Sequence, residues 1–199
     1  MNKKIKLFNF LGTPVTVSIW FLLLFPLTGF NISIFISVFI AVLIHEMAHA
    51  FIANRYGYRV YGINVDLMNG SASIDSNIHQ RDSIPITAAG PISNLLLFVI
   101  GTLLQYFFVN DFILTFTQIN LFLFLFNILP IYPMDGGRIL KDFLMLNMRD
   151  RWRGAHIAAI VSLITSILLL VYCIVIGNFV MCIFAGLFIY YALKELKVV

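Results

Sequence analysis

Charge is scarce in this chain. Only 11% of its 199 residues are Asp, Glu, Lys or Arg, whereas 61% are hydrophobic. A soluble domain of this length must turn a large share of its residues to water, and a chain so poor in charge cannot cover that surface. The composition excludes an ordinary soluble protein and points to an integral membrane protein, for which 20 Phe residues suit contact with lipid. Cysteine is almost absent as well. Cys173 and Cys182 lie in apolar surroundings and read as packing residues rather than as a disulfide or metal ligands. No small-residue cleavage site follows the first apolar stretch after the basic Met1–Phe8, so a cleaved signal peptide is not expected. Internal repeats and low-complexity linkers are lacking too. A single polytopic membrane domain over residues 1–199 is therefore expected.

What the chain has in abundance is long apolar runs. A membrane span needs about 20 mostly apolar residues. Six stretches qualify: Phe10–Thr28, Ile32–Ala53, Ile84–Val109, Phe112–Pro130, His156–Ile176 and Phe179–Leu196. Tight turns at Thr28–Asn31, Asn110–Asp111 and Gly177–Asn178 suit helical hairpins. All 13 Lys and Arg residues fall outside these three turns, in the termini and the alternate connections. The positive-inside rule places that basic side, with both termini, in the cytoplasm. The net charge of +4 is thus a topology signal and not a nucleic-acid signal. Between the second and third spans, Tyr58–Val65 and Ser71–Ile74 alternate and are rich in β-branched residues, with Asn69-Gly70 as a turn signal. The expected fold is an all-α membrane protein of six transmembrane helices with a short cytoplasmic β-hairpin or re-entrant loop between spans 2 and 3.

The chemistry lies in His45-Glu46-Met47-Ala48-His49. Four residues apart on a helix, His45 and His49 share one face and can share one metal ion, while Glu46 is placed to act as general base. The apolar run Ile32–Ile44 is too short to span alone, so the helix needs His45–Ala53 to complete its crossing. Three ionisable side chains inside the bilayer default to a functional reading. A catalytic zinc takes a third protein ligand and keeps an open position. Asp75, Asp82, Asp142 and Asp150 read as solvated loop residues, as does Asp66, and His79 and His156 as interfacial histidines. Asp135 differs. It follows Pro130 and Pro133, which break the fourth span, and precedes Gly136-Gly137. It lies on the same predicted side as the histidines, and is a candidate third ligand that spacing alone does not decide.

HEMAH, the third-span opening Ala88-Ala89-Gly90-Pro91-Ile92-Ser93-Asn94, and Asn127-Ile128-Leu129-Pro130-Ile131-Tyr132-Pro133-Met134-Asp135-Gly136-Gly137 resemble, in identity, order and spacing, the motifs of the site-2 protease family of intramembrane zinc metalloproteases. With their spans they cover a catalytic core of about residues 32–146. The variant is most similar to the stage IV sporulation protease branch. The resemblance implies one zinc per chain on His45, His49 and Asp135, with Glu46 catalytic. It implies that Asn127 helps hold substrate or the developing oxyanion and that Asn94 supports the site. Pro130 and Pro133 would shape backbone that receives an unwound substrate. The branch often carries a C-terminal CBS domain, which is not expected here. Its paired glycines after the second span are replaced by Asn69-Gly70-Ser71, which puts substrate gating by that loop in doubt.

The implied activity is hydrolysis of a peptide bond within or next to a transmembrane segment of another membrane protein, with a product released to the cytoplasm. A membrane-tethered transcription factor or its regulator would be a fitting substrate, a membrane inhibitor protein a fitting regulator, and a bacterial cell membrane the setting. Two other readings stand beside it. A membrane metal transporter would need ligands along a path to the far face, where the sequence offers only Asp111. A non-catalytic membrane binding protein would have no use for Glu46.

Overall fold

The computed structural model describes residues 4–65, 71–75 and 77–198. The chain is mostly helical, with a small sheet near its start. In order, the elements are β1 (Lys4–Phe10), β2 (Thr13–Ser18), a 3-10 turn (Ile19–Leu23), α1 (Leu24–Leu27), α2 (Ile32–Arg55), β3 (Val60–Val65), β4 (Ser71–Ile74), α3 (Gln80–Phe107), α4 (Asp111–Asn127), α5 (Asp135–Asn147), α6 (Arg151–Val175) and α7 (Phe179–Val198). They gather into two compact units. The first comprises Met1–Ile78 and Ala89–Leu125, the second His79–Ala88 and Phe126–Val199.

In the first unit the strands form one sheet in the order β1-β2-β3-β4. A tight turn at Leu11-Gly12, both with positive φ (48° and 79°), joins β1 to β2. That geometry matches the twist of an antiparallel pair. β2 then pairs with β3 in parallel, Val15 beside Ile63 and Val17 beside Val65. Parallel partners need a long crossover, and this one contains α2. Asn64 gathers the sheet's polar groups: its Oδ1 accepts from Thr16 Oγ1 at 2.6 Å and from Lys4 Nζ at 2.9 Å.

The sheet corrects the first expected span. Phe10–Thr28 is not one helix: it begins as strand and continues as a 3-10 turn and a single α-turn. The run Thr13-Pro14-Val15-Thr16-Val17-Ser18 is β-branched at four positions and favours a pleated surface. Pro14 and Pro26 both lack the backbone N–H that a helix interior needs. The stretch nevertheless runs along α2 in the antiparallel sense. Val15 packs with Ala50 and Met47 near one end of α2, the Phe21 ring lies 5.6 Å from that of Phe39, and the Phe25 ring lies 5.4 Å from that of Phe35. The hairpin expected over Tyr58–Ile74 is present as β3 and β4, but as half of a larger sheet. Its turn, Asn69-Gly70, lies outside the described residues.

α2 begins at Asn31, whose side-chain oxygen accepts from the Ile34 N–H at 3.1 Å. Its 24 residues reach about 36 Å at 1.5 Å per residue, enough to cross a hydrocarbon core of about 30 Å. α2, α3, α6 and α7 are each long and apolar enough to span a membrane; α4, at 17 residues, is shorter. The described residues thus hold four such helices and not the six expected.

The second unit packs α5 and α7 on α6. The buried residues of α6 are small: Gly154, Ala155, Ala158, Ala159, Ser162 and Ser166. Lipid tails are as apolar as Leu, so close backbone approach and van der Waals packing replace water exclusion as the force holding such helices together. A Cβ added at Gly154 would lie 2.9 Å from the Leu144 carbonyl. Larger apolar side chains of α6, such as Ile164, Leu168 and Val171, point outward, as a lipid-facing surface requires. α6 is capped by Asp150, which accepts from the Trp152 N–H at 3.0 Å.

Candidate metal centre

The buried residues of α2 include Ser37, Ala41, His45, His49 and Ala53, spaced four apart. This stripe is small except at the two imidazoles. His45 and His49 place their Nε2 atoms 3.1 Å apart. Glu46, between them in sequence, is also buried. Burial of two imidazoles and a carboxyl in an apolar helix is costly unless they are partnered or hold a metal.

Two features of α3 receive these rings. Gly90 faces them directly: a Cβ there would lie 2.3 Å from His49 Nε2 and 2.5 Å from His45 Nε2. The space a side chain would fill is the space where the two donor nitrogens converge. One turn further along, the Asn94 side-chain oxygen lies 2.6 Å from His45 Nδ1. The Asn94 amide in turn donates to Asn120 Oδ1 of α4 at 2.9 Å. A metal ligand oriented through its other ring nitrogen is the usual supporting arrangement. Donor chemistry, convergence and support therefore suit a transition metal such as zinc.

Asp135 lies in the second unit as the first residue of α5, and it is buried. The N-terminal end of a helix favours a carboxylate. The segment before it is folded tightly under α5. The Ile131 N–H donates to the Leu129 carbonyl at 2.7 Å and the Met134 N–H to the Ile131 carbonyl at 2.8 Å. A Cβ at Gly136 would lie 2.3 Å from the Ile128 carbonyl oxygen and 2.4 Å from that of Leu129. The two glycines are thus what allows the broken segment to fold back under the aspartate. The Tyr132 N–H donates to Ser162 Oγ of α6 at 2.7 Å, which anchors the same segment from its other side.

A polar cluster stands beside this segment; its α5 members Lys141 and Asp142 lie outside the candidate spans. Asp142 accepts from Ser83 Oγ at 2.6 Å. Burial pushes its carboxyl above the ordinary carboxylate range, against the opposing pull of the Ser83 hydrogen bond, Lys141 and Arg138. Lys141 pairs with Glu195. Burial lowers the Lys141 pKa, but the Glu195 hydrogen bond and neighbouring charges outweigh it and leave the pKa raised.

Of the residues singled out in the sequence, His45, Glu46, His49 and Asn94 come together in the first unit. Asn127, Pro130, Pro133 and Asp135 succeed one another in the second, with Asn127 ending α4 and the prolines half-buried. Gly90 and Asn120 were not assigned roles. Gly90 was visible only as part of a motif, and Asn120 as a lone carboxamide in an apolar run.

The family described as Peptidase M50B-like matches residues 15–133, and Peptidase family M50 matches residues 107–172. A zinc metalloprotease of Methanocaldococcus jannaschii is 30% identical over 209 aligned residues, covering 98% of this chain and 61% of that protein. Stage IV sporulation protein FB of Bacillus subtilis is 27% identical over 118 residues, covering 57% of this chain and 40% of that protein. The chain therefore spans about three fifths or less of the length of these two relatives. Among solved structures, a site-2 protease from Methanocaldococcus jannaschii superposes with a TM-score of 0.74 at 27% identity, covering 99% of this chain and 97% of that one.

Proposed function

From the premise that the chain belongs to the M50B-like peptidase family, we propose that it is a zinc metalloendopeptidase of the site-2 protease type, which cleaves a membrane protein within or next to a transmembrane segment. The observation that carries the proposal is the pair of buried imidazoles converging on the gap left by Gly90, with Glu46 beside them on the same helix. His45, His49 and Asp135 would hold one zinc ion per chain. Each offers one ligand atom, all three are buried, and two nitrogens with a carboxylate oxygen is a donor set that catalytic zinc uses.

When bound, zinc would supply Lewis acidity toward a substrate carbonyl and lower the pKa of water. The chain's own residues would do the rest. Glu46 takes a proton from the attacking water and returns it to the leaving amine. Asn94 holds the His45 ring. Asn127 would assist the substrate or its developing oxyanion.

A helix hides its carbonyls in i→i−4 bonds, so the substrate must unwind before it is cut. The backbone around Pro130 and Pro133, or the edge strand β4, would pair with the extended segment by strand addition. The sheet supports a cytoplasmic placement of this end. β1, carrying Lys4 and Lys6, belongs to the sheet that packs near the Arg55 end of α2, and clustered Lys and Arg mark the inner side. The proposed setting is a bacterial cell membrane with both termini cytoplasmic. The proposed partners are a transmembrane substrate and a membrane inhibitor protein.

The test is to reconstitute wild type and Glu46→Gln in vesicles, and to follow zinc content together with cleavage of transmembrane reporter proteins. The proposal expects zinc in both and cleavage only by wild type. Cleavage by Glu46→Gln at the wild-type rate would contradict the general-base role.

A further inference from the structure

Behind the imidazoles, α3 and α4 share a chain of side-chain amides within the first unit. Asn94 and Asn120 are both fully buried. The helices approach closely enough for this: a Cβ added at Gly101 of α3 would lie 2.2 Å from Thr117 Oγ1 of α4. A carboxamide has nearly the same shape either way round, so its orientation is set by what its neighbours can give or take.

The chain of constraint starts at a group with no choice. The Phe116 carbonyl oxygen can only accept, so Asn120 presents its amino end there, at 2.8 Å. Asn120 Oδ1 is thereby turned toward Asn94, which must answer with its own amino end, at 2.9 Å. The Ala41 carbonyl oxygen, 3.5 Å from the same amino group, is a second acceptor that enforces this choice. The Asn94 oxygen is then left facing His45 Nδ1 at 2.6 Å. An oxygen at that distance requires the ring proton to sit on Nδ1, and it frees the lone pair of Nε2. Nε2 is the atom that converges with His49 at Gly90.

We propose that Asn120 is a positioning residue for the zinc site: by fixing which way the Asn94 amide points, it sets the tautomer in which His45 can bind metal. The proposal rests on the zinc reading only for its last step, the use of Nε2 as a ligand. The tautomer itself is a property of the metal-free protein. Supporting groups behind a ligand commonly change metal affinity when removed. Here the support runs one residue deeper, to a helix that carries none of the ligands. Without Asn120, only the long 3.5 Å contact to the Ala41 carbonyl favours that orientation, and the Asn94 amide can turn its amino end to His45 Nδ1, which would then have to accept and place the proton on Nε2.

The experiment uses the full chain in detergent, as wild type, Asn120→Leu, Asn120→Ala, Asn120→Asp and His45→Ala. Long-range nitrogen–proton NMR on histidine-labelled, metal-free protein reads the His45 tautomer. Chelator competition reads zinc affinity, and a thermal unfolding transition shows that each variant is folded. Wild type should carry its His45 proton on Nδ1. Asn120→Leu and Asn120→Ala should move proton density to Nε2 and weaken zinc binding about 10- to 100-fold. If Asn120→Leu does not fold, Asn120→Ala carries the comparison. Asn120→Asp, protonated in its buried site, can still donate to Phe116 and accept from Asn94, and should restore both readouts. Wild-type tautomer and affinity in Asn120→Ala would overturn the proposal. So would an Asn120→Asp variant as impaired as Asn120→Ala, because a packing role alone would explain that pattern. If wild type and His45→Ala bind zinc equally, the zinc reading fails instead, and the tautomer measurement still decides the role of Asn120.

Discussion

Gly90 of α3 leaves room for His49 of α2: a Cβ at position 90 would lie 2.3 Å from His49 Nε2, closer than any real side-chain contact permits. The ring is rigid and buried, so it can yield only by abandoning its position. Gly90→Ala is expected to lose most of its bound zinc and its activity while remaining membrane-inserted. Overpacking of this kind also costs stability, about 1–3 kcal/mol. Zinc per chain, measured on purified protein by elemental analysis, checks the point; a full complement of zinc would show that the rings do not bind where they converge.

In the proposed mechanism, Glu46 separates chemistry from metal binding. Glu46→Gln keeps the size and burial of the side chain but cannot take a proton. The variant is expected to hold zinc as wild type does and to lose about 10²- to 10⁴-fold in turnover. Rates of reporter cleavage in vesicles measure it.

Ser162 anchors the segment that leads to Asp135. Its Oγ accepts from the Tyr132 N–H at 2.7 Å. Ser162→Ala would leave that N–H without its acceptor, at a cost of about 1–3 kcal/mol. Thermal unfolding in detergent should show a lowered midpoint. An unchanged midpoint would mean that the segment is held by the contacts of Gly136 and Gly137 alone.

Asp142 gives a pH signature. Burial raises its carboxyl above the ordinary range, with Ser83, Lys141 and Arg138 opposing. A carboxyl raised on folding contributes most below the unfolded-state value, and that contribution is lost as pH rises through the folded-state value. The difference in unfolding midpoint between wild type and Asp142→Asn should therefore shift against wild type as pH rises from the ordinary carboxylate value through the raised one, and then level off. A difference that moves the other way would mean that the Lys141 and Arg138 charges, not burial, dominate.

The legible parts of the molecule were those whose signal is local. HEMAH shows its geometry in its own spacing, because residues four apart share a helix face. Asp135 was visible because prolines and glycines break a span around it. Phe10–Thr28 misled because hydropathy counts apolar residues without asking their period. The alternating Thr13–Ser18 finds its partner in β3, more than 40 residues later, and no local pattern announces a parallel pairing. Asn120 stood out as polar within an apolar run, yet its meaning depends on Asn94 and Phe116, which only packing brings to it.

Metal-dependent cleavage within a bilayer is the direct test. Wild-type protein in vesicles, with a transmembrane reporter, should cut the reporter within or beside its membrane segment, stop when zinc is removed by a chelator, and resume when zinc alone is returned. Cleavage that continues undiminished in the zinc-free protein would contradict a zinc peptidase built on His45, His49 and Asp135.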